Sequence, residues 1–188
     1  MDTSHVFHYV DDFITMRADA AECERNNAIM HETCTRLGLP PEPKKDEGPA
    51  TCITFLGIEL DTAELELRLP QDKLVRLTTE LAGWRGRKAC KKRDLLSLIG
   101  VLSHACKVVT AGRTFLRRLI ELSTTTKRLE HFVRLSREAR SDIEWWWQFS
   151  TSWNGIKLLK SPAETHPSTI VVSDASGSWG CGAYCGSQ

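Results

Sequence analysis

Two adjacent carboxylates, Asp11 and Asp12, follow Tyr9 and Val10 between two short apolar-rich runs, His5-Val6-Phe7-His8 and Phe13-Ile14-Thr15-Met16. Each run reads as a strand, which puts the Asp pair at a two-residue hairpin tip. A tip projects its side chains away from the sheet, and two adjoining carboxylates repel each other unless a cation lies between them. Hard divalent cations such as Mg²⁺ take oxygen ligands of this kind together with substrate phosphates. The chemistry that suits such a pair is phosphoryl transfer on two metal ions, where attacking and leaving oxygens both need a positive partner. Asp is also a common turn residue, so an ordinary Asp-Asp turn is the alternative.

A second feature is a local excess of positive charge. Arg85, Arg87, Lys88, Lys91, Lys92 and Arg93 fall close together with no acid among them, although the net charge of the 188-residue chain is only +1. Such a run suits phosphate contacts, which give salt-dependent affinity without sequence choice. The alternative is a solvated loop. Acids concentrate elsewhere, at Glu42, Asp46 and Glu47 and at Glu59, Asp61, Glu64 and Glu66.

The elements that must position these groups follow from periodicity. Ala18 to Leu37 carries a partial helical stripe of Ala21, Ile29, Met30, Cys34 and Leu37 that ends at Gly38. Cys52 to Leu60 reads as a strand, and Leu65-Glu66-Leu67-Arg68-Leu69 alternates as its hairpin partner around Asp61-Thr62-Ala63-Glu64. From Pro70 the period becomes helical. Leu74, Leu77 and Leu81 share one face, with Gly83 and Gly86 ending that helix around Trp84. A helix over 94–109 turns Leu95, Leu98, Ile99, Leu102 and Cys106 inward. Gly112 breaks it, and a third helix runs over 113–122. Ser123-Thr124-Thr125-Thr126 reads as a polar connector. Ser136 can cap a helix through Phe149 with Ile143, Trp146 and Trp147 on one face. A linker spans 160–168, and Ile170-Val171-Val172 opens a new strand.

Several classes are excluded. No run of about 18 apolar residues occurs, so no membrane span is expected. The seven cysteines include no Cys-x-x-Cys. Cys181 and Cys185 have no second pair to complete a zinc site, so all seven read as reduced thiols of an intracellular protein of the cytoplasm or nucleus. The amino terminus lacks a secretory pattern, and no repeat of 20–50 residues occurs.

In this order the motifs resemble the reverse transcriptase family of retroelements, whose palm carries a Tyr-x-Asp-Asp hairpin. Gly38-Leu39-Pro40 with Lys45 resembles the next palm motif, and Phe55-Leu56-Gly57 the primer-grip hairpin. The run from Leu98 to Ala105 resembles a thumb helix of gypsy and DIRS-like elements. Asp174-Ala175-Ser176 with Gly180 resembles the first strand of an RNase H domain. Cys52 to Thr62 and Trp153-Asn154-Gly155 are most similar to DIRS-like sequences. The resemblance covers nearly the whole chain. It implies an α+β fold: residues 1–69 as the C-terminal part of a palm (β hairpins plus helix), 70–125 as thumb helices, 126–167 as a connection helix and linker, and 168–188 as a truncated RNase H-like β hairpin.

The resemblance also implies roles. Asp11 and Asp12 would be catalytic metal ligands for two Mg²⁺ ions in the parent polymerase site, and Asp174 the first metal-binding acid of RNase H. Lys45 would stabilise or protonate a pyrophosphate leaving group, with Lys44 one register away. Tyr9 would lie near the primer terminus or simply pack in its strand. Phe55, Leu56 and Gly57 would hold the primer strand, while Arg85, Arg87, Lys88, Lys91 and Lys92 would contact nucleic acid. The partners implied for the parent enzyme are an RNA or DNA template–primer and a deoxynucleoside triphosphate. Trp145-Trp146-Trp147 cannot all face one side of a helix, so two should pack and one remain exposed. The family places a third palm carboxylate tens of residues upstream. The chain opening at Met1 is therefore expected to be a reverse transcriptase–RNase H fragment that does not extend a primer by itself. A non-catalytic nucleic-acid-binding module domesticated from a retroelement is the alternative.

Overall fold

The computed structural model describes residues 5–42, 45–153, 155–158, 169–177 and 180–187. It divides into two compact units, Met1–Ile156 and Lys157–Gln188. The described residues form five helices and small antiparallel sheets, a mixed α and β architecture.

The first unit opens with β1 (His5–Tyr9) antiparallel to β2 (Asp12–Met16), Tyr9 facing Asp12 across the pair. Helix α1 (Ala20–Arg36) follows; the Asp19 carboxylate caps it by accepting the Glu22 N–H at 3.0 Å, and Gly38 leaves it with a φ of 79°. The expected apolar stripe is only partly used. Ala21, Ile29 and Leu37 are exposed, and the half-buried face is Cys23, Asn26, Asn27, Met30, His31 and Cys34. A face that mixes amides and imidazole with apolar groups escapes a search for hydrophobic period.

Cys52 to Leu60 is two strands rather than one: β3 (Cys52–Phe55) turns at Leu56-Gly57 into β4 (Ile58–Asp61). Both turn residues have positive φ, 50° and 72°, the pattern of a type I′ turn, which usually carries Asn-Gly. Leu56 does not advertise such a turn. Next come β5 (Glu66–Arg68) and, after the helices, β8 (Ile156–Lys157), giving a sheet of order β3-β4-β5-β8. Across β4 and β5 the Arg68 guanidinium pairs with Glu59 and, at 3.1 Å, with Asp61. Asp61 also accepts the Ala63 and Glu64 N–H groups. These hydrogen bonds, the Glu64 N–H first, hold its carboxyl below the usual range although partial desolvation opposes them.

Helices α2 (Gln71–Trp84), α3 (Lys92–Ala105), α4 (Gly112–Thr124) and α5 (Arg137–Ser152) build the core with β4. Leu77, Leu81, Leu95, Leu98, Leu102, Leu119, Ile143 and Trp146 are buried on the faces that their spacing predicts. Ser136 caps α5, accepting the Ala139 N–H at 3.1 Å. The connector begins later than expected, because Ser123 and Thr124 return their hydroxyls to the carbonyls of Ile120 and Glu121 and finish α4. An unanticipated two-stranded ribbon joins β6 (Ala89–Lys91) to β7 (Phe132–Arg134). Cys90 and Val133, opposite each other, point into the core.

Gly112 does not break a helix but starts one. A Cβ there would overlap the ring of Trp146, which is 0% exposed. Gly100, inside α3, would place a Cβ in open space. All seven cysteines are free thiols; burial pushes the Cys90 and Cys106 thiols up. The second unit is a hairpin of β9 (Thr169–Ser176) and β10 (Gly180–Ser187) in continuous register. No described helix is long and apolar enough to cross a membrane.

The two glycines generate opposite expectations. Gly112→Ala should destabilise the chain by about 1–3 kcal/mol through overpacking on Trp146. Gly100→Ala should stabilise it by roughly 0.5–1 kcal/mol by restricting the unfolded backbone. Denaturant midpoints compare them directly, and equal effects would contradict the packing described. Asp142, 7% exposed, offers a pH test. Its burial pushes the carboxyl up from the ordinary 3.8, with repulsion from Glu138 added, and the Arg118 guanidinium at 2.9 Å only partly offsets this. A carboxyl raised in the native state contributes stability that is fully present below its unfolded value and is lost as pH rises through the raised one. Relative to the parent chain, Asp142→Asn should therefore gain stability as pH rises from the ordinary 3.8 through the raised value. A pH-independent difference in urea stability would contradict it.

Candidate nucleic-acid and metal site

The Asp pair sits where the sequence indicates, with one adjustment. The two residues between the strands are Val10 and Asp11, and Asp12 is the first residue of β2. Val10 has a φ of 57° while Asp11 is not in the left-handed region. That is the pattern of a type II′ turn, whose first central position usually holds glycine. A β-branched residue there is strained. Tyr9, Val10, Asp11 and Asp12 are all exposed, so Tyr9 is not packed within its strand. Neither carboxylate has a hydrogen-bond or ion-pair partner among the described residues. Their hard oxygen donors fit two ligand positions of a divalent cation. No group of three acids, histidines or cysteines able to hold a metal occurs among the described residues.

Lys45 is exposed, and its neighbour Asp46 is tied to α1. The Asn27 amide donates to both Asp46 oxygens at 3.0 and 3.1 Å, and His31 Nε2 lies 3.1 Å from Oδ2. This clamp fixes the loop that carries Lys45 on the half-buried face of α1. Sequence reading missed it because Asp46 lies 19 positions from Asn27 and none of the three residues is apolar. Lys44 lies outside the described residues.

Phe55 ends β3, Leu56 and Gly57 form its turn into β4, and the turn is held from the helical side. Lys73 donates to the Gly57 carbonyl at 3.3 Å, and His104 Nε2 lies 3.2 Å from the Leu56 carbonyl. The open position of Gly57 is thus filled by the Lys73 side chain.

The basic run is exposed in part but largely engaged: Arg85, Arg87 and Lys88 lie in the loop between α2 and β6, and Lys91, Lys92 and Arg93 at β6 and the start of α3. Arg85 grips Glu144 with two hydrogen bonds of 2.9 and 3.1 Å and lies 3.8 Å over the Trp147 ring. Arg87 donates to the Gly83 carbonyl at 2.8 Å and stands 5.0 Å over Trp84. Lys91 and Arg93 share Glu130, and Lys92 donates to the Thr126 carbonyl at 2.6 Å. Among the described residues Lys88 alone of the five expected contacts has no side-chain partner. The structure thus brings the run together with acids and aromatics that lie about 40–60 positions away in sequence.

The three tryptophans all pack, and none is left exposed, contrary to the sequence expectation that one would be: Trp146 is buried and Trp145 and Trp147 are half-buried. Trp147 lies under Arg85, and Trp145 stacks between Phe115 at 3.9 Å and Phe149 at 4.8 Å. In the second unit Asp174 is exposed, faces Gly182 across the hairpin and accepts the Ala175 N–H at 2.8 Å.

No family model matches the chain, and no curated protein matches it. Among solved structures it is similar to a foamy viral protease-reverse transcriptase in complex with double-stranded DNA. The TM-score is 0.58 at 15% identity, over 91% of this chain and 28% of that one. The chain therefore spans just over a quarter of that protein's length and shares a fold with that part of a retroviral reverse transcriptase.

Proposed function

We propose that the chain is part of a retroelement-type RNA-directed DNA polymerase with RNase H, of the DIRS-like kind, acting within the cell. The observation that carries this reading is the Tyr9-Val10-Asp11-Asp12 hairpin, with both carboxylates exposed and unpaired, in a chain whose fold is similar to a reverse transcriptase. Asp11 and Asp12 would hold Mg²⁺, which when bound supplies positive charge for the reacting phosphate oxygens. Tyr9, exposed one strand position before the turn, would pack on the primer's terminal sugar or base. Lys45, on the loop clamped through Asp46, would face the leaving pyrophosphate of a deoxynucleoside triphosphate. The Leu56-Gly57 turn, braced by Lys73 and His104, would hold the primer strand. The basic face around Lys88 would carry template–primer phosphates, and Asp174 would serve an RNase H metal site. In this proposal two carboxylates at one tip cannot alone hold two metal ions in line.

Two measurements test the reading. Mn²⁺ titrated into the chain should broaden the amide resonances of residues 9–13, and the double variant Asp11→Asn, Asp12→Asn should abolish the effect. Absence of any broadening would remove the metal site. Duplex DNA should bind without sequence preference, with log affinity falling against log salt by about 0.9 per phosphate contact. Lys88→Ala should reduce that slope by about one contact, and an unchanged slope would remove Lys88 from the interface.

A further inference from the structure

The β6–β7 ribbon has an inner and an outer face. Cys90 and Val133 seal the inner one against the helices. On the outer face Phe132 lies opposite Lys91, and Arg134 lies opposite the small Ala89. Phe132 is 69% exposed and makes no ring–ring or cation–π contact among the described residues, and Leu129 nearby is 51% exposed. Stretches 85–94 and 127–137, which meet in this ribbon, carry ten Lys and Arg against two acids, Asp94 and Glu130. Glu130 is already committed to Lys91 and Arg93. Lys88, Arg128 and Arg134 have no side-chain partner among the described residues, and the Leu135 N–H bond to the Lys88 carbonyl at 2.9 Å places Lys88 at the ribbon's end.

We propose that this outer face is a platform for single-stranded nucleic acid, with Phe132 stacking on an unpaired base and Lys88, Arg128 and Arg134 contacting the adjoining phosphates. Charge complementarity selects a polyanion over an apolar peptide. The open ring selects a single strand, because a base paired inside a duplex does not offer its face to a side chain. The ribbon's shortness suits one or two nucleotides rather than a groove, and nothing on it reads base edges, so sequence preference is not expected. Lys91 and Arg93 act less directly. Held by Glu130, they set the positive field but are not free to wrap a phosphate. The inference rests on the proposed nucleic-acid role of the basic run and adds to it a strand type and the segment from Lys127 to Arg134.

The test compares fluorescence anisotropy of the whole chain with a labelled oligothymidylate of about 16 nucleotides and with a duplex of similar length. Phe132→Ala should weaken single-strand binding about tenfold, the contribution of one stacked base, and leave duplex binding unchanged. Phe132→Trp should restore it. Arg134→Ala with Lys88→Ala should weaken both and flatten the salt dependence. Photo-crosslinking of a halogenated-uracil oligonucleotide to the unaltered chain should label Phe132, which checks the platform without any variant. If Phe132→Ala leaves single-strand affinity intact, or lowers single-strand and duplex affinity equally, the platform is wrong while the proposed function stands. If the unaltered chain binds neither oligonucleotide at low salt, both are wrong.

Discussion

The first unit depends on one close approach. Trp146 reaches full burial only because Gly112 has no side chain, so the indole can lie against the start of α4. That contact joins α5 to α4, and α4 packs on α3, whose Leu95, Leu98 and Leu102 line the same core. The fit is not free of cost, since the Trp146 Nε1–H has no partner among the described residues and a buried unpaired donor is destabilising. The apolar area of the largest side chain outweighs that loss. Neighbouring rings continue the packing outward from Trp146 through Trp145 to Phe115 and Phe149.

Around this body part of the charge is paired internally. Arg85 meets Glu144, Lys91 and Arg93 meet Glu130, and Arg118 meets Asp142. The exposed pairs among these, on Glu144 and Glu130, contribute little to stability. Their effect is to fix where some of the positive groups point, while other charged groups stay uncommitted. The free carboxylates of Asp11 and Asp12 lie at a strained hairpin turn, while Lys88, Arg128 and Arg134 gather at the β6–β7 ribbon. Groups without internal partners keep their full interaction for a cation or a phosphate, which gives those two places their functional interest.

What the sequence reveals follows the range of each signal. The inward leucines of α2 and α3 and the Ser136 cap are local patterns, and they stand as read. The Leu56-Gly57 turn escapes periodicity because leucine is a poor turn residue; only its resemblance to a primer-grip hairpin marks it. The β6–β7 ribbon escapes because its strands hold three residues each and lie some 40 positions apart, too short for alternation to register. Composition therefore reads Arg85 to Arg93 as a uniform basic patch, whereas pairing with Glu144, Glu130 and Thr126 divides it into engaged and free members. The clamp of Asp46 on Asn27 and His31 escapes for the same reason, since long-range polar pairs leave no periodic trace.

A cooperative helical body, locked by Trp146, carries a hairpin whose paired carboxylates Asp11 and Asp12 stand outside its core. None of Val6–Tyr9 of β1, and no residue of β2 or α1, is buried. Native-state hydrogen exchange measures this residue by residue. Amides of 95–105 and 139–150 should exchange only through global unfolding, and those of 6–16 should exchange through local opening at far lower free energy. Equal protection of the hairpin and the helices would contradict the account.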